Sequence, residues 1–138
     1  MDRLLLLLVI AGGAVLVYCA VRCLHVRRTS RIAAVDPLLA ALRPDTPAIL
    51  YFTSPTCAPC KAQQQPALRA LQADLGDGVQ IVEVNALDDP AAATRWGVLS
   101  VPTTFVLDPH GQPREVNYGV AGADKLKRQV AKAAAQAV

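Results

Sequence analysis

Ala48-Ile49-Leu50-Tyr51-Phe52-Thr53-Ser54-Pro55-Thr56-Cys57-Ala58-Pro59-Cys60-Lys61 is the stretch on which the reading of this chain turns. Ala48 to Phe52 is an unbroken apolar run of strand length, the kind that lies in the centre of a sheet covered on both faces. Two cysteines with two residues between them follow. From about Ala58 the period turns helical, with Leu68, Leu71 and Leu75 on one face, and Gly76 and Gly78 stop the helix. The thiols therefore stand between a buried strand and the start of a helix.

Working outward, Asp36-Pro37 reads as an N-cap with proline in the first turn of a short helix carrying Leu38, Leu39 and Leu42 and ending near Arg43-Pro44. Val79 to Val84 is the next strand. A short helix follows Asp89-Pro90 and runs to about Arg95. Thr103 to Leu107 is a third strand, and Asp108-Pro109-His110-Gly111 has the chemistry of a turn. Arg114 to Tyr118 returns antiparallel, and Asp124 caps a last helix rich in Ala and Lys. This order predicts an α/β domain, a mixed central sheet with helices on both faces.

A Cys-x-x-Cys pair can hold metal or exchange disulfides. A tetrahedral zinc site needs three or four ligands, and outside this pair residues 36–138 offer no cysteine and only His110. The position favours redox chemistry. A thiolate at a helix N-terminus meets the positive end of the helix dipole and unpaired N–H groups, which lower its pKa. Cys57 is then the attacking thiolate and Cys60, one turn in, resolves the mixed disulfide. Pro59 fits the first turn, where a missing N–H costs nothing.

Ile49-Leu50-Tyr51-Phe52, Cys57-Ala58-Pro59-Cys60-Lys61, Trp96-Gly97-Val98, Val101-Pro102-Thr103 and Gly111 resemble the thioredoxin family in order and spacing, over roughly residues 36–138. The resemblance implies a thioredoxin fold and a cis Val101-Pro102 bond beside the thiols, with a substrate surface formed by Thr56, Ala58, Pro59, Val101 and Pro102. It implies thiol–disulfide exchange with protein substrates, no cofactor beyond a redox-active Cys57–Cys60 disulfide, no metal, and a reductase or other electron donor as partner.

The sequence departs from the family at four places. Thr56 stands where a Trp is usual. Tyr51 replaces a buried Asp that accepts the proton of the resolving cysteine, and Glu83 occupies the place of a partner Lys. Either Glu83 takes over as proton acceptor, buried and hydrogen-bonded to Tyr51, or it points to solvent. Pro66 falls six residues after Cys60 rather than five, so the kink it causes should move by one residue.

The N-terminal segment is of another kind. Leu4 to Val21 is 18 residues without a charge or a proline. As a helix it would span roughly 27 Å, just enough for the hydrocarbon core of a bilayer. A buried core helix would need a polar face, and a cleaved signal peptide a small-residue site, which Tyr18 and Cys19 interrupt. The expected organisation is an anchor over 1–22, a basic juxtamembrane linker over 23–35 with a polar bridge at Thr29–Arg31, and the redox domain over 36–138. Arg22, Arg27, Arg28 and Arg31 follow the span, so the positive-inside rule places the domain on the cytoplasmic face. Cys19 and Cys23 read as small apolar residues or as acylation sites, not as redox machinery.

Residues 32–138 carry nine bases and ten acids, a net charge of −1, which excludes the basic footprint of a nucleic-acid binder. Two alternatives to a cytoplasmic reductase follow. One is an extracytoplasmic protein handling disulfides or cytochrome maturation. The other is a non-enzymatic peptide-binding adaptor on the same fold.

Overall fold

The structure is a computed structural model that describes residues 2–33 and 36–137. Its elements are α1 (Asp2–Ala33), α2 (Pro37–Ala40), β1 (Ala48–Thr53), a π-turn (Cys60–Gln64) leading into α3 (Gln65–Leu75), β2 (Gln80–Asn85), α4 (Pro90–Arg95), β3 (Thr103–Leu107), β4 (Pro113–Tyr118) and α5 (Ala123–Ala135). The sheet order is β2-β1-β3-β4, with β1 and β2 parallel and the other pairs antiparallel.

Every residue of β1 is buried, as its unbroken apolar run requires. Side chains alternate across a strand, so β1 feeds two cores. Ile49 and Tyr51 pack with Leu68 and Leu71 of α3 and with Leu126, Val130 and Ala133 of α5. Leu50 and Phe52 face the other way, with Val84, Ala92, Trp96 and Phe105, roofed by Leu38 and Leu39 of α2. In that second core the Phe105 ring meets Trp96 edge-on at 5.0 Å and Phe52 at 5.9 Å.

Asp36 is an N-cap, as its sequence predicts, since its carboxylate accepts the Leu38 N–H at 2.9 Å. It does more. The same carboxylate accepts the indole N–H of Trp96 at 2.9 Å and Nε of Arg95 at 3.0 Å, joining α2 to the end of α4. Asp89 caps α4 by accepting the Ala92 N–H. At α5 the cap is Gly122, and Asp124, the expected cap, lies in the first turn, where its charge favours the helix dipole.

The N-terminal helix is longer than expected. Thr29–Arg31 does not interrupt it, and it continues to Ala33, while residues 34 and 35 of the expected linker lie outside the described residues. Leu5–Leu24 is a candidate membrane span with a mean hydropathy of 2.3 and its side chains exposed, a pattern that a signal sequence shares. Cys19 and Cys23 are exposed on it. Near its end Arg22 pairs with Glu115 of β4, which also holds Lys132 of α5.

Asp36 is 5% exposed. Burial alone would raise its pKa, but the bonds from Arg95, the Leu38 N–H and Trp96 hold it below the usual carboxylate value. Its stabilisation is therefore complete above the unfolded pKa of about 4 and is lost as pH falls through the lower folded value. Asp36→Asn is expected to cost about 2–4 kcal/mol at neutral pH and to flatten the acid limb of a stability–pH curve. Denaturant titrations at several pH values check this, and an unchanged midpoint would refute it.

Candidate active site

β1 ends at Thr53, and a short loop brings the chain to Cys57, whose N–H is held by the Ser54 carbonyl at 3.2 Å. Cys57 and Cys60 form a disulfide, with Cα atoms 5.2 Å apart. Cys57 is 8% exposed and Cys60 fully buried, so Cys57 lies nearer the surface. The backbone N–H of Cys60 donates to Sγ of Cys57 at 3.2 Å. That N–H is one of the unpaired donors of a helix start, aimed at the atom that becomes negative on reduction.

Thr56, Ala58 and Pro59 are exposed around Cys57, and Lys61 is exposed behind it. Val101-Pro102 is a cis peptide bond. Val101 packs against the core cluster that contains both cysteines, and the Pro102 carbonyl accepts the Gly119 N–H at 2.8 Å. Gly119 sits at φ 86°, a conformation in which a side chain is strained. The residues expected to form the substrate surface thus lie on two chain segments, and Gly119–Ala121, which the sequence reading did not single out, is hydrogen-bonded to the second of them at Pro102. Leu99, two residues before Val101, is 94% exposed and adds an apolar rim.

The displaced Pro66 has a specific structural consequence. The N–H of Gln65 donates to the carbonyl of Cys60, five residues back, so Cys60–Gln64 is a π-turn. The extra residue between Cys60 and Pro66 is absorbed there, and Pro66 enters at the start of α3, where its missing N–H is tolerated. At the end of this turn Gln64 is fully buried, and its amide bonds both backbone groups of Ala121. Sequence reading missed Gln64 as well. The six-residue spacing from Cys60 to Pro66 was the available signal.

Glu83 lies opposite Tyr51 in the β1–β2 register but is exposed, in a surface cleft with Gln65, Arg69 and Gln72 of the active-site helix. The expected buried Glu83–Tyr51 hydrogen bond is absent, because β2 is an edge strand and leaves this position open to solvent. The hydroxyl of Tyr51 is buried and has no hydrogen-bond partner among the described residues. Burial, opposed by the neighbouring Thr53 hydroxyl, which lies outside hydrogen-bond geometry, and aided by the charge of Glu83, pushes its pKa above the ordinary phenol value, so it stays neutral. Among the described residues no three His, Cys, Asp or Glu side chains gather as a metal site.

The family model for thioredoxin matches residues 36–132. Thioredoxin of Bacillus subtilis is 30% identical over 101 residues, covering 73% of this chain and 95% of the relative. Thioredoxin of Streptomyces clavuligerus is 36% identical over 82 residues, covering 59% and 71% respectively. Among solved structures, oxidized mitochondrial thioredoxin 3 of Saccharomyces cerevisiae superposes with a TM-score of 0.56 at 26% identity, covering 65% of this chain and 80% of that one.

An orphaned buried hydroxyl costs about 1–3 kcal/mol. Tyr51→Phe in the oxidized protein is expected to raise stability by about 1 kcal/mol, measured by denaturant unfolding. A loss of stability of that size would mean the hydroxyl has a partner.

Proposed function

This chain belongs to the thioredoxin family and is a thiol–disulfide oxidoreductase; from that premise we propose that it reduces disulfides in protein substrates from a membrane-tethered position. The observation that carries the reading is the Cys57–Cys60 pair, with Cys57 nearer the surface than Cys60 and its sulfur under the N–H of the inner cysteine.

In the reduced protein the Cys57 thiolate attacks one sulfur of a substrate disulfide. An S–S bond forms between Cys57 and the substrate, and the other substrate sulfur leaves as a thiolate. Cys60 then loses its proton and attacks Sγ of Cys57, closing the internal disulfide and releasing the second substrate thiolate. Two electrons have passed to the substrate, and a dithiol donor must return two to the pair. The substrate chain lies over the exposed Thr56, Ala58 and Pro59 and along the half-buried Val101 before the cis Pro102.

Proton loss from Cys60 is assigned no buried carboxylate. Tyr51 is neutral, and Glu83 is exposed, so a proton reaches it only through solvent, in competition with buffer. A positioned general base contributes about 100-fold or more. Glu83→Gln is therefore expected to slow disulfide reduction by less than about threefold, and a loss of a hundredfold would restore Glu83 as a positioned acceptor.

The tether is α1, with Leu5–Leu24 as the span. The arginines that follow it favour a cytoplasmic domain by the positive-inside rule.

The direct test is trapping. Cys60→Ser is expected to accumulate mixed disulfides through Cys57 in cells, which dissolve on adding reductant. Cys57→Ser should trap none and lose turnover. Absence of trapped species in a folded Cys60→Ser protein would reject exchange with protein substrates and favour the adaptor. For sidedness, Ala137→Cys in a chain whose four native cysteines are changed to serine should react with an impermeant maleimide only after the membrane is opened, and labelling of intact cells would place the domain outside.

A further inference from the structure

We propose that Gln64 is a positioning residue that sets the loop Gly119–Ala121 for protein substrates, an inference that rests on the exchange reading above. Gln64 is buried completely, and Ala121 is 1% exposed. Its Nε2 donates to the Ala121 carbonyl at 3.1 Å, and its Oε1 accepts the Ala121 N–H at 2.8 Å. One donor and one acceptor on Ala121 determine which way the amide is turned. The side chain thus copies one rung of a strand pair, and neither backbone group of Ala121 is free to bond elsewhere.

Two residues earlier the loop is tied again, by the Gly119 N–H to the Pro102 carbonyl. Val120 lies between the two ties and is 40% exposed. The loop is therefore clamped at one end to the segment of the cis proline and at the other to the helix that carries Cys60. The loop, the cis-proline segment and the Cys60 helix thus share one hydrogen-bonded frame, to which Gln64 contributes its side chain. This is not a reacting group, since the amide bonds Ala121 alone. Its effect falls on where a polypeptide lies relative to Cys57.

The π-turn is what delivers Gln64 to this place. It holds one residue more than the usual spacing to proline, and Gln64 is its last member.

The test uses the full chain in detergent micelles, with two substrates. Insulin is a disulfide-linked polypeptide that needs the surface. Dithiobis(nitrobenzoate) is a small disulfide that needs only the outer sulfur. Gln64→Met keeps the volume and removes both bonds. It is expected to raise KM for insulin about five- to tenfold with kcat nearly unchanged, the signature of lost binding common to ground and transition states. The rate with the small disulfide should stay within about twofold of the parent. Gln64→Leu, which also removes both bonds at similar volume, should give the same split, and it decides the matter if Gln64→Met does not fold. An unchanged KM for insulin in a folded variant would overturn the inference, as would an equal fall with both substrates, which marks a general structural role. If the parent reduces neither substrate, the exchange reading itself fails and this inference with it.

Discussion

β1 has no solvent face, and most of the molecule follows from that constraint. A six-residue strand buried on both sides must be covered by helices on both sides, and it must spend its own backbone groups on neighbours. β2 and β3 take those groups, one parallel and one antiparallel. The parallel partner cannot follow through a tight turn, so the chain needs a crossover, which is the helix begun at Cys57. The disulfide is therefore located by the sheet. It stands where the central strand ends and the obligatory crossover begins, with the N–H of Cys60 turned toward the outer sulfur.

The same geometry explains why an extra residue in that helix is consequential. A helix anchored at its start by Cys57 and packed farther along by Leu68 and Leu71 cannot shift its register as a whole. The surplus has to be taken up between those points. Pro66 marks the weak place, because it supplies no N–H for the ladder. A widened turn just before it costs little there, and it sends Gln64 into the protein rather than outward. The buried amide then finds Ala121, whose two backbone groups would otherwise be shut away unpaired.

Much of this was legible from residue pattern. The four strands, the two-sided core, the Asp36 and Asp89 caps and the cis Val101-Pro102 bond all follow from local chemistry or from the family resemblance. What was not legible depends on contacts far apart in the chain. Asp36 reads as a cap, and nothing near it announces Trp96 and Arg95 as further partners. Glu83 has the right register opposite Tyr51, but register does not say that the edge strand leaves it in solvent. Gln64 looks like one polar residue in a run of three glutamines, and only the fold distinguishes it from Gln63. The polar bridge at Thr29–Arg31 failed for a different reason, since weak breakers do not stop a helix already well propagated.

Tyr51 bears on how the site handles charge. In a low-dielectric core, a buried carboxylate beneath the resolving cysteine would oppose a second negative charge on that sulfur while offering to take its proton. A phenol kept neutral by burial does neither. The field at the sulfurs then comes chiefly from the helix start, which favours negative charge most strongly at Cys57, the sulfur that the Cys60 N–H already touches. Separating the roles of the two cysteines thus falls to geometry rather than to a titrating neighbour. Cys57 lies nearer the surface with its sulfur against the Cys60 amide, and Cys60 is enclosed.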